Sequence, residues 1–91
     1  MAWQTAENSI LYSGKDGQVL GRLDFLQTAP GVYDIVHTEV DASLQGQGIA
    51  GQLVQKALEE IERRGAEVQA DVSCSYAARW LARHGKSQSQ I

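Results

Sequence analysis

Three side chains of this sequence have the chemistry for proton transfer or covalent attack: His37, Glu39 and Cys74. His37 and Glu39 are two residues apart in an apolar run, and side chains two apart in a strand share a face, so the pair can relay a proton. Cys74 precedes a predicted helix, whose positive end favours the reactive thiolate. The simpler alternatives are a solvent-facing polar pair for His37 and Glu39 and a small buried hydrophobic group for Cys74.

A glycine-rich turn, residues 39–49, joins the strand that carries His37 to a strongly periodic helix. Backbone N–H groups at the start of a helix point at one spot, where the dipole adds positive potential, so a phosphate or pyrophosphate can be held there. Residues 46–51 also spell G-x-G-x-x-G, with Asp71 20 residues after Gly51, a pattern typical of a Rossmann dinucleotide site. That alternative is disfavoured because residues 41–45 intervene after the strand and only one strand–helix–strand unit follows.

An antiparallel meander of three strands is predicted before the turn. The strands cover residues 10–12, 19–26 and 32–40, and turn-forming sequences occupy residues 13–17 and 29–32. In the third strand the two-residue period places Tyr33, Ile35, His37 and Glu39 on one face and the intervening residues on the other. Residues 1–7 carry no periodic signal and form a tail or a short edge strand.

An amphipathic helix follows the turn, with apolar residues at steps of three and four from Ile49 to Ile61. Gly65 ends this helix, since glycine adopts the left-handed conformation that terminates helices. Residues 67–72 then alternate as a short strand. The right-handed crossover rule places this strand parallel to the third one.

A second helix completes the chain. Ser73 or Ser75 caps its start, Gly85 closes it, and residues 86–91 form a tail. The sequence therefore predicts one α/β (α+β) domain over residues 1–91, in which a three-strand meander is followed by a helix, a parallel strand and a C-terminal helix.

The composition excludes several classes of protein. Eight Lys and Arg against eleven Asp and Glu give a net charge of −3, which argues against general electrostatic binding of nucleic acid. Without a long apolar run or a signal-peptide region, no membrane partner is expected and the chain is predicted to be cytoplasmic. The single cysteine excludes an internal disulfide. Cys74, His37 and His84 lack the spacing of metal ligands, so no metal is expected. The oligomeric state is left open.

Residues 45–50, Gln-Gly-Gln-Gly-Ile-Ala, resemble the Q/R-x-x-G-x-G/A motif of the GNAT superfamily of acetyl-CoA-dependent N-acetyltransferases. The strand before the motif, the length of the loop and the Leu-Val pair at residues 53–54 agree with that superfamily. His-Thr-Glu-Val at residues 37–40 and Cys-Ser-Tyr at residues 74–76 look like its small YjdJ-type branch. The resemblance covers roughly residues 8–84.

The resemblance implies acetyl-CoA as cofactor, with its pyrophosphate on the turn and its pantetheine arm beside the preceding strand. The implied cofactor-binding residues are Thr38, Val40, Gln45, Gly46, Gln47, Gly48, Ile49, Ala50, Gly51, Tyr76, Arg79 and Arg83. The candidate catalytic residues are Cys74, His37 and Glu39. In two places the sequence departs from the pattern: Gln45 replaces a commoner arginine, and Gly-Lys-Ser follows His84 where a proline and an aromatic residue are common.

The expected function is acetyl transfer from acetyl-CoA to an amine. Such a reaction needs an uncharged amine, a polarised thioester carbonyl and a proton for the departing thiolate, and a ternary complex provides these without a covalent intermediate. The acceptor is a peptide, a protein or a polyamine attracted by the acidic first half of the chain. The alternative is a non-catalytic module that binds coenzyme A or a protein partner, because 91 residues omit the elements with which larger members build an acceptor site.

Overall fold

A five-stranded sheet forms the framework of the molecule. The computed structural model describes residues 2–84. The strands lie in the order β1-β2-β3-β4-β5, and all neighbours are antiparallel except β4 and β5, which are parallel. Their bounds are β1 Ala2–Thr5, β2 Ser9–Ser13, β3 Val19–Ala29, β4 Val32–Val40 and β5 Glu67–Val68. The helices are α1, Ile49–Arg63, and α2, Ser75–His84, and a short 3-10 turn covers Ala42–Leu44.

This architecture confirms the predicted fold class and the predicted order of meander, helix, parallel strand and helix. Of the two alternatives for residues 1–7, the structure shows the edge strand, because Ala2–Thr5 pairs with β2. The predicted helix end at Gly85 and the predicted tail at residues 86–91 lie outside the described residues.

The core lies between α1 and the sheet. It is made of aliphatic and aromatic side chains from β2, β3, β4 and α1 that are almost fully buried: Ile10, Leu23, Phe25, Ile35, Leu53, Val54 and Ile61. Helix α2 packs beside α1 and against β4 and contributes the buried Ala77. Burying a large aliphatic or aromatic side chain contributes about 1.5–3 kcal/mol, so this one cluster provides most of the cohesion of a small domain.

A bulge in β4 changes which residues share a face. Asp24 of β3 pairs with His37 and Phe25 pairs with Ile35, so Val36 is an extra residue on β4. Because side chains alternate along a strand, one extra residue reverses the alternation from that point onward. The prediction that Tyr33 and Ile35 share a face with His37 and Glu39 is therefore wrong.

Beyond the bulge, the helix-facing side of β4 carries Thr38 and Val40. Thr38 pairs with the core residue Leu23, and Val40 pairs with Gly21, which contacts α1. His37 and Glu39 pair with Asp24 and Arg22 on the opposite face.

The segment after α1 also differs from the sequence prediction. Only Glu67–Val68 is strand, whereas residues 67–72 were expected. The Gln69 amide still donates to the Tyr33 carbonyl at 2.7 Å, but the following residues leave the edge of β4. Neither serine occupies the predicted cap position of α2, because it is the Cys74 carbonyl that accepts the first helical bond, from the Ala78 amide at 2.9 Å.

Arg64 ties the end of α1 to the sheet. The helix stops there because Gly65 adopts a φ of +76° and its amide turns back to the Glu62 carbonyl, which confirms Gly65 as the stop. The Arg64 guanidinium donates to the Glu60 carboxylate at 2.7 Å, to Tyr33 Oη at 3.2 Å, and to the carbonyls of Ala6 and Glu7 at 3.3 and 3.0 Å. It also lies 5.0 Å from the Phe25 ring centroid, so it joins the turn between β1 and β2 to α1 and β4.

Candidate cofactor site

The turn between β4 and α1 begins with a side-chain cap. The Asp41 carboxylate accepts from the Ser43 amide at 3.0 Å and from its hydroxyl at 2.6 Å. Both hydrogen bonds lower the pKa of Asp41 below its ordinary value, the one from the Ser43 hydroxyl more than the one from the Ser43 amide. Leu44, the last residue of the 3-10 turn, is buried. A buried leucine at one end and a capped aspartate at the other fix the path of the chain into the glycines.

Gly46 and Gly48 then give the turn its shape. Their φ angles are +83° and +78°, a region that side chains with a Cβ rarely adopt. An added Cβ at either position would meet open space, so the glycines are required by backbone conformation and not by crowding. Gly48 caps α1 without any side-chain hydrogen bond.

Several backbone donors at this point have no partner. Among the described residues, no backbone hydrogen bond engages the amides of Gly46, Gly48, Ile49, Ala50 and Gly51, whereas the Gln47 amide donates to the Leu44 carbonyl. The first N–H groups of a helix need an external acceptor, and the helix dipole favours an anionic one. The turn therefore presents a group of convergent donors suited to phosphate oxygens.

A cleft of about 410 Å³ adjoins these donors. The predicted residues that line it are Thr38, Val40, Gln45, Gly46, Gly48, Ile49, Ala50, Gly51 and Tyr76. Leu44 lines the cleft as well, and the sequence analysis did not predict it. A single leucine in an otherwise polar turn could have indicated that its side chain is buried against a neighbouring surface. Gln47, Arg79 and Arg83 are not among the residues that line the cleft.

One edge of β4 is open beside the cleft. The Asp41 amide donates toward β3, to the Leu20 carbonyl at 2.7 Å. Backbone groups alternate in direction along a strand, so those of Val40 and Thr38 point away from β3. On that side β5 pairs only with Val32 and Tyr33. Within residues 2–84 the edge at Thr38 and Val40 is thus free to pair with an extended ligand.

Cys74 lies at the inner end of this open edge. Cys74 is 9% exposed. Its Sγ donates to Thr38 Oγ1 at 3.4 Å, and its amide donates to the Ile35 carbonyl at 2.9 Å. Cys74 is therefore buried, as the simpler of its two alternatives expects, but its thiol also lies beside Thr38, a residue of the cleft. The contact with Thr38 depends on the bulge, which turns Thr38 toward the helices.

Helix α2 approaches the first turn of α1 closely at Gly51. A Cβ added there would lie 3.1 Å from Trp80 Nε1 and within 3.6 Å of Tyr76 Oη. The Trp80 ring stacks on His84 at a centroid distance of 4.2 Å. Glycine at position 51 thus allows Tyr76 to close one side of the cleft.

Arg79 and Arg83 are exposed on α2, three and seven residues after Tyr76. Residues at these spacings lie on one side of a helix. Neither arginine has an ion pair within residues 2–84. Both guanidinium groups are available on the side of α2 that borders the cleft, without lining it.

His37 and Glu39 form the predicted pair, with Nε2 and Oε1 3.1 Å apart. Their side chains are 55% and 71% exposed. They lie on the face of β4 opposite Thr38, so the structure brings these two residues together but does not bring them to Cys74.

Residues 2–84 contain no group of three His, Cys, Asp or Glu side chains that could hold a metal ion. No helix within them is long and apolar enough to cross a membrane.

The model of a protein family described as GCN5-related N-acetyl-transferase matches residues 9–90. No curated protein matches the chain. Among solved structures, a GCN5-like N-acetyltransferase from Staphylococcus aureus is similar over 96% of this chain and 83% of its own, with 22% identity and a TM-score of 0.74.

Two further structures contain the cofactor. A GNAT-family protein, YhbS, from Escherichia coli in complex with CoA is 25% identical over 84% of this chain, with a TM-score of 0.64. A GNAT-family acetyltransferase from Brucella melitensis in complex with acetyl-CoA is 28% identical over 85%, with a TM-score of 0.62. The chain spans about half the length of these two proteins, 47% and 51%. With the family model matching most of its length, the chain belongs to the GCN5-related N-acetyltransferase family.

Proposed function

We propose that the chain binds acetyl-CoA in the cleft between the glycine turn and α2 and transfers the acetyl group to an amine. The observation that carries this proposal is the group of unpartnered amides at Gly46 and Gly48–Gly51 beside an unpaired strand edge at Thr38 and Val40. A pyrophosphate fits the first feature, because it needs several donors. An amide-containing pantetheine arm fits the second, because it can pair with a strand edge.

The arginines of α2 extend the same site. Arg79 and Arg83 carry unpaired positive charge on the side of α2 that borders the cleft, and a further phosphate of the cofactor would find it there. Gln45 provides only neutral polar groups in the turn, so binding of the phosphates depends mainly on backbone amides.

The residues around the open edge suit the two proton transfers of the reaction. Bound acetyl-CoA supplies an activated acetyl thioester. Cys74 holds a proton on Sγ directed at Thr38 Oγ1, and Tyr76 places a hydroxyl at the cleft, so either can protonate a departing thiolate. His37, paired with Glu39, can hold the proton that the amine loses on the opposite face of β4.

The acceptor is proposed to be a cationic amine, from a polyamine, a peptide or a protein. The face of the sheet that carries His37 and Glu39 also carries Asp24, but Asp24 is paired with Arg22 at 2.9 Å, so the free end of the His37–Glu39 pair provides the exposed carboxylate. An exposed carboxylate attracts a protonated amine, which must then lose its proton before it reacts.

A non-catalytic coenzyme A module is the second candidate. It is favoured by one observation, the separation of Cys74 from His37 and Glu39 on opposite faces of β4. Binding alone needs only the turn and the open edge.

Thermal shift separates the ligand classes. We expect acetyl-CoA and CoA to raise the melting temperature and NAD to have no effect, because the described residues contain one strand–helix–strand unit beside the turn and a dinucleotide needs a second. No shift with CoA would remove the basis of the proposal. Release of free thiol from acetyl-CoA in the presence of polyamines and lysine peptides then separates enzyme from module.

Cys74→Ala is the corresponding variant for the chemistry. If Cys74 moves a proton in catalysis, this variant binds CoA like the wild type but releases thiol more slowly by about 10²-fold or more. Turnover that no amine raises above background in the wild type would establish the module instead.

A further inference from the structure

Asp34 is a buried carboxylate that does not line the cleft. The residue is 5% exposed and lies on β4, on the face away from α1. Its two oxygens accept from the Ser73 amide at 2.8 Å and from the Ser73 hydroxyl at 2.6 Å. A charged group is costly to bury and is retained in such a position only with strong partners, which here come from one residue.

The contact with Ser73 closes a loop at the edge of β4. The Gln69 amide donates to the Tyr33 carbonyl and the Cys74 amide donates to the Ile35 carbonyl. Between these two hydrogen bonds β4 advances by two residues while the facing segment advances by five. Residues 70–73 are therefore extruded, and Asp34, midway between Tyr33 and Ile35, holds the end of the extruded loop.

The position of the loop at residues 70–73 sets the inner end of the open edge of β4. Because Ser73 is fixed on Asp34, Cys74 returns to the strand at Ile35 and its thiol lies against Thr38. The open edge runs from Val40, beside the glycine turn, to Thr38, where the Cys74 thiol lies against the Thr38 hydroxyl and the Cys74 amide takes up the Ile35 carbonyl. A ligand that enters at the turn and follows the edge meets this inner end with its far terminus.

We propose that Asp34, acting through Ser73, is a positioning residue that closes the inner end of the cofactor cleft and restricts the acyl group to a short chain. This inference rests on the proposed function, since the terminus that reaches the closed end is the acyl group only if the ligand is an acyl-CoA. The contact between Asp34 and Ser73 would thus influence which acyl group is accepted, although neither residue lines the cleft.

The first test measures how fast Cys74 reacts with a thiol reagent in the absence of cofactor. Cys74 is the only cysteine in the sequence, so the reagent modifies no other thiol. Alkylation of Cys74 by iodoacetamide should be about tenfold faster in Ser73→Ala than in the wild type, since losing a hydrogen bond to a charged acceptor favours local opening by at least that factor. Ser73→Thr keeps the hydroxyl and should restore the slow rate.

Ser9→Ala is the matched control. Ser9 is buried whereas Ser73 is exposed, but the Ser9 hydroxyl likewise donates to an aspartate, Asp24, at 2.9 Å, a second serine–aspartate contact on the same sheet. This variant should lose stability without a faster reaction at Cys74. Equal rates in Ser73→Ala and Ser9→Ala would show that only global stability had changed and would overturn the proposal.

The second test measures binding of acetyl-CoA and butyryl-CoA by calorimetry. The wild type should prefer acetyl-CoA, and Ser73→Ala should shift the ratio of the two affinities toward butyryl-CoA by up to about tenfold, the value of two buried methylene groups. An unchanged ratio, with both thioesters bound, overturns the positioning role and leaves the proposed function intact. A wild type that binds neither thioester overturns the proposed function and this inference with it.

Discussion

The glycines of the turn contribute conformation, and the side chains around them contribute direction. Gly46 and Gly48 hold positive φ angles that let consecutive amides converge, while Asp41 and the buried Leu44 fix the entry to the turn. Residue types and spacing were enough to predict this part of the site. The same information could not place Cys74 relative to His37, because their separation depends on one extra residue in β4.

Replacement of Gly48 tests the turn against a matched glycine. Gly31 has a φ of +74° and, like Gly48, open space where a Cβ would be, but it lies in the turn between β3 and β4. Both Gly48→Ala and Gly31→Ala should cost about 1–2 kcal/mol of stability from the left-handed conformation. Only Gly48→Ala should weaken CoA binding, by about tenfold, because relaxation of its φ turns the amides away from the ligand. Calorimetric titration of both variants is the measurement, and equal affinities would contradict the assignment of the turn.

At the scale of elements, β4 belongs to two environments. Its first half pairs with β3 and β5 and lies in the core, whereas its second half pairs with β3 alone and borders the cleft. The pattern of the sequence predicted the strand. It could not predict that β5 ends after two residues, because Asp34 captures Ser73 through a contact across 39 positions of the chain.

The open edge of β4 should be visible in hydrogen exchange. The amides of Thr38 and Val40 point away from β3 and should exchange quickly, whereas those of His37 and Glu39 point toward β3 and should exchange slowly. Saturating CoA should slow the exchange of Thr38 and Val40 without affecting the other two as strongly. Residue-resolved NMR exchange measures all four amides at once. Slow exchange at Thr38 and Val40 without ligand would mean that the edge is already paired.

The end of α1 allows two neighbouring arginines to be compared. Arg63 is paired with Glu60 and its side chain is 71% exposed, whereas the Arg64 side chain is 21% exposed and binds Tyr33 and the carbonyls of Ala6 and Glu7 as well as Glu60. Arg64→Ala should lower the free energy of unfolding by about 2–4 kcal/mol, because several acceptors, most of them partly or fully buried, lose a charged donor at once. Arg63→Ala should cost about 1 kcal/mol or less, as surface ion pairs do. Urea denaturation provides both values, and equal losses would show that Arg64 does not join the sheet to the helix.

For the whole molecule, the sequence predicted the order of elements, including the glycine turn that we propose as the cofactor site. Periodicity specified α1, turn residues specified the meander, and Gly65 specified the end of the helix. What it could not specify were contacts between distant segments: the edge strand Ala2–Thr5, which pairs only because β2 offers a partner, and the approach of Trp80 to Gly51. Placement in the YjdJ-type branch and the identity of the acceptor stay predictions.

The stability of the whole molecule should depend on pH through Glu60. Hydrogen bonds from Arg63 and then Arg64 lower the pKa of Glu60 from 4.5 to about 2. Because the pKa is lower in the folded state, the contribution of Glu60 is complete above pH about 4.5 and is lost as the pH falls toward 2. The urea midpoint should therefore fall over this range more steeply in the wild type than in Glu60→Gln. Parallel curves for the two proteins would exclude Glu60 as a source of acid sensitivity.

The bulge at Val36 has a consequence for how this protein can change over time. Most single-residue deletions in a strand would exchange the two faces of the residues that follow, but removal of Val36 would not, because Val36 is the extra residue of the pairing between β3 and β4. Without it, Ile35 would be followed directly by His37, and plain alternation would keep Thr38 and Val40 toward the helices and His37 and Glu39 on the opposite face. Descendants with a gap at this position would therefore present the same surfaces, so the bulge can be lost without turning the strand inside out.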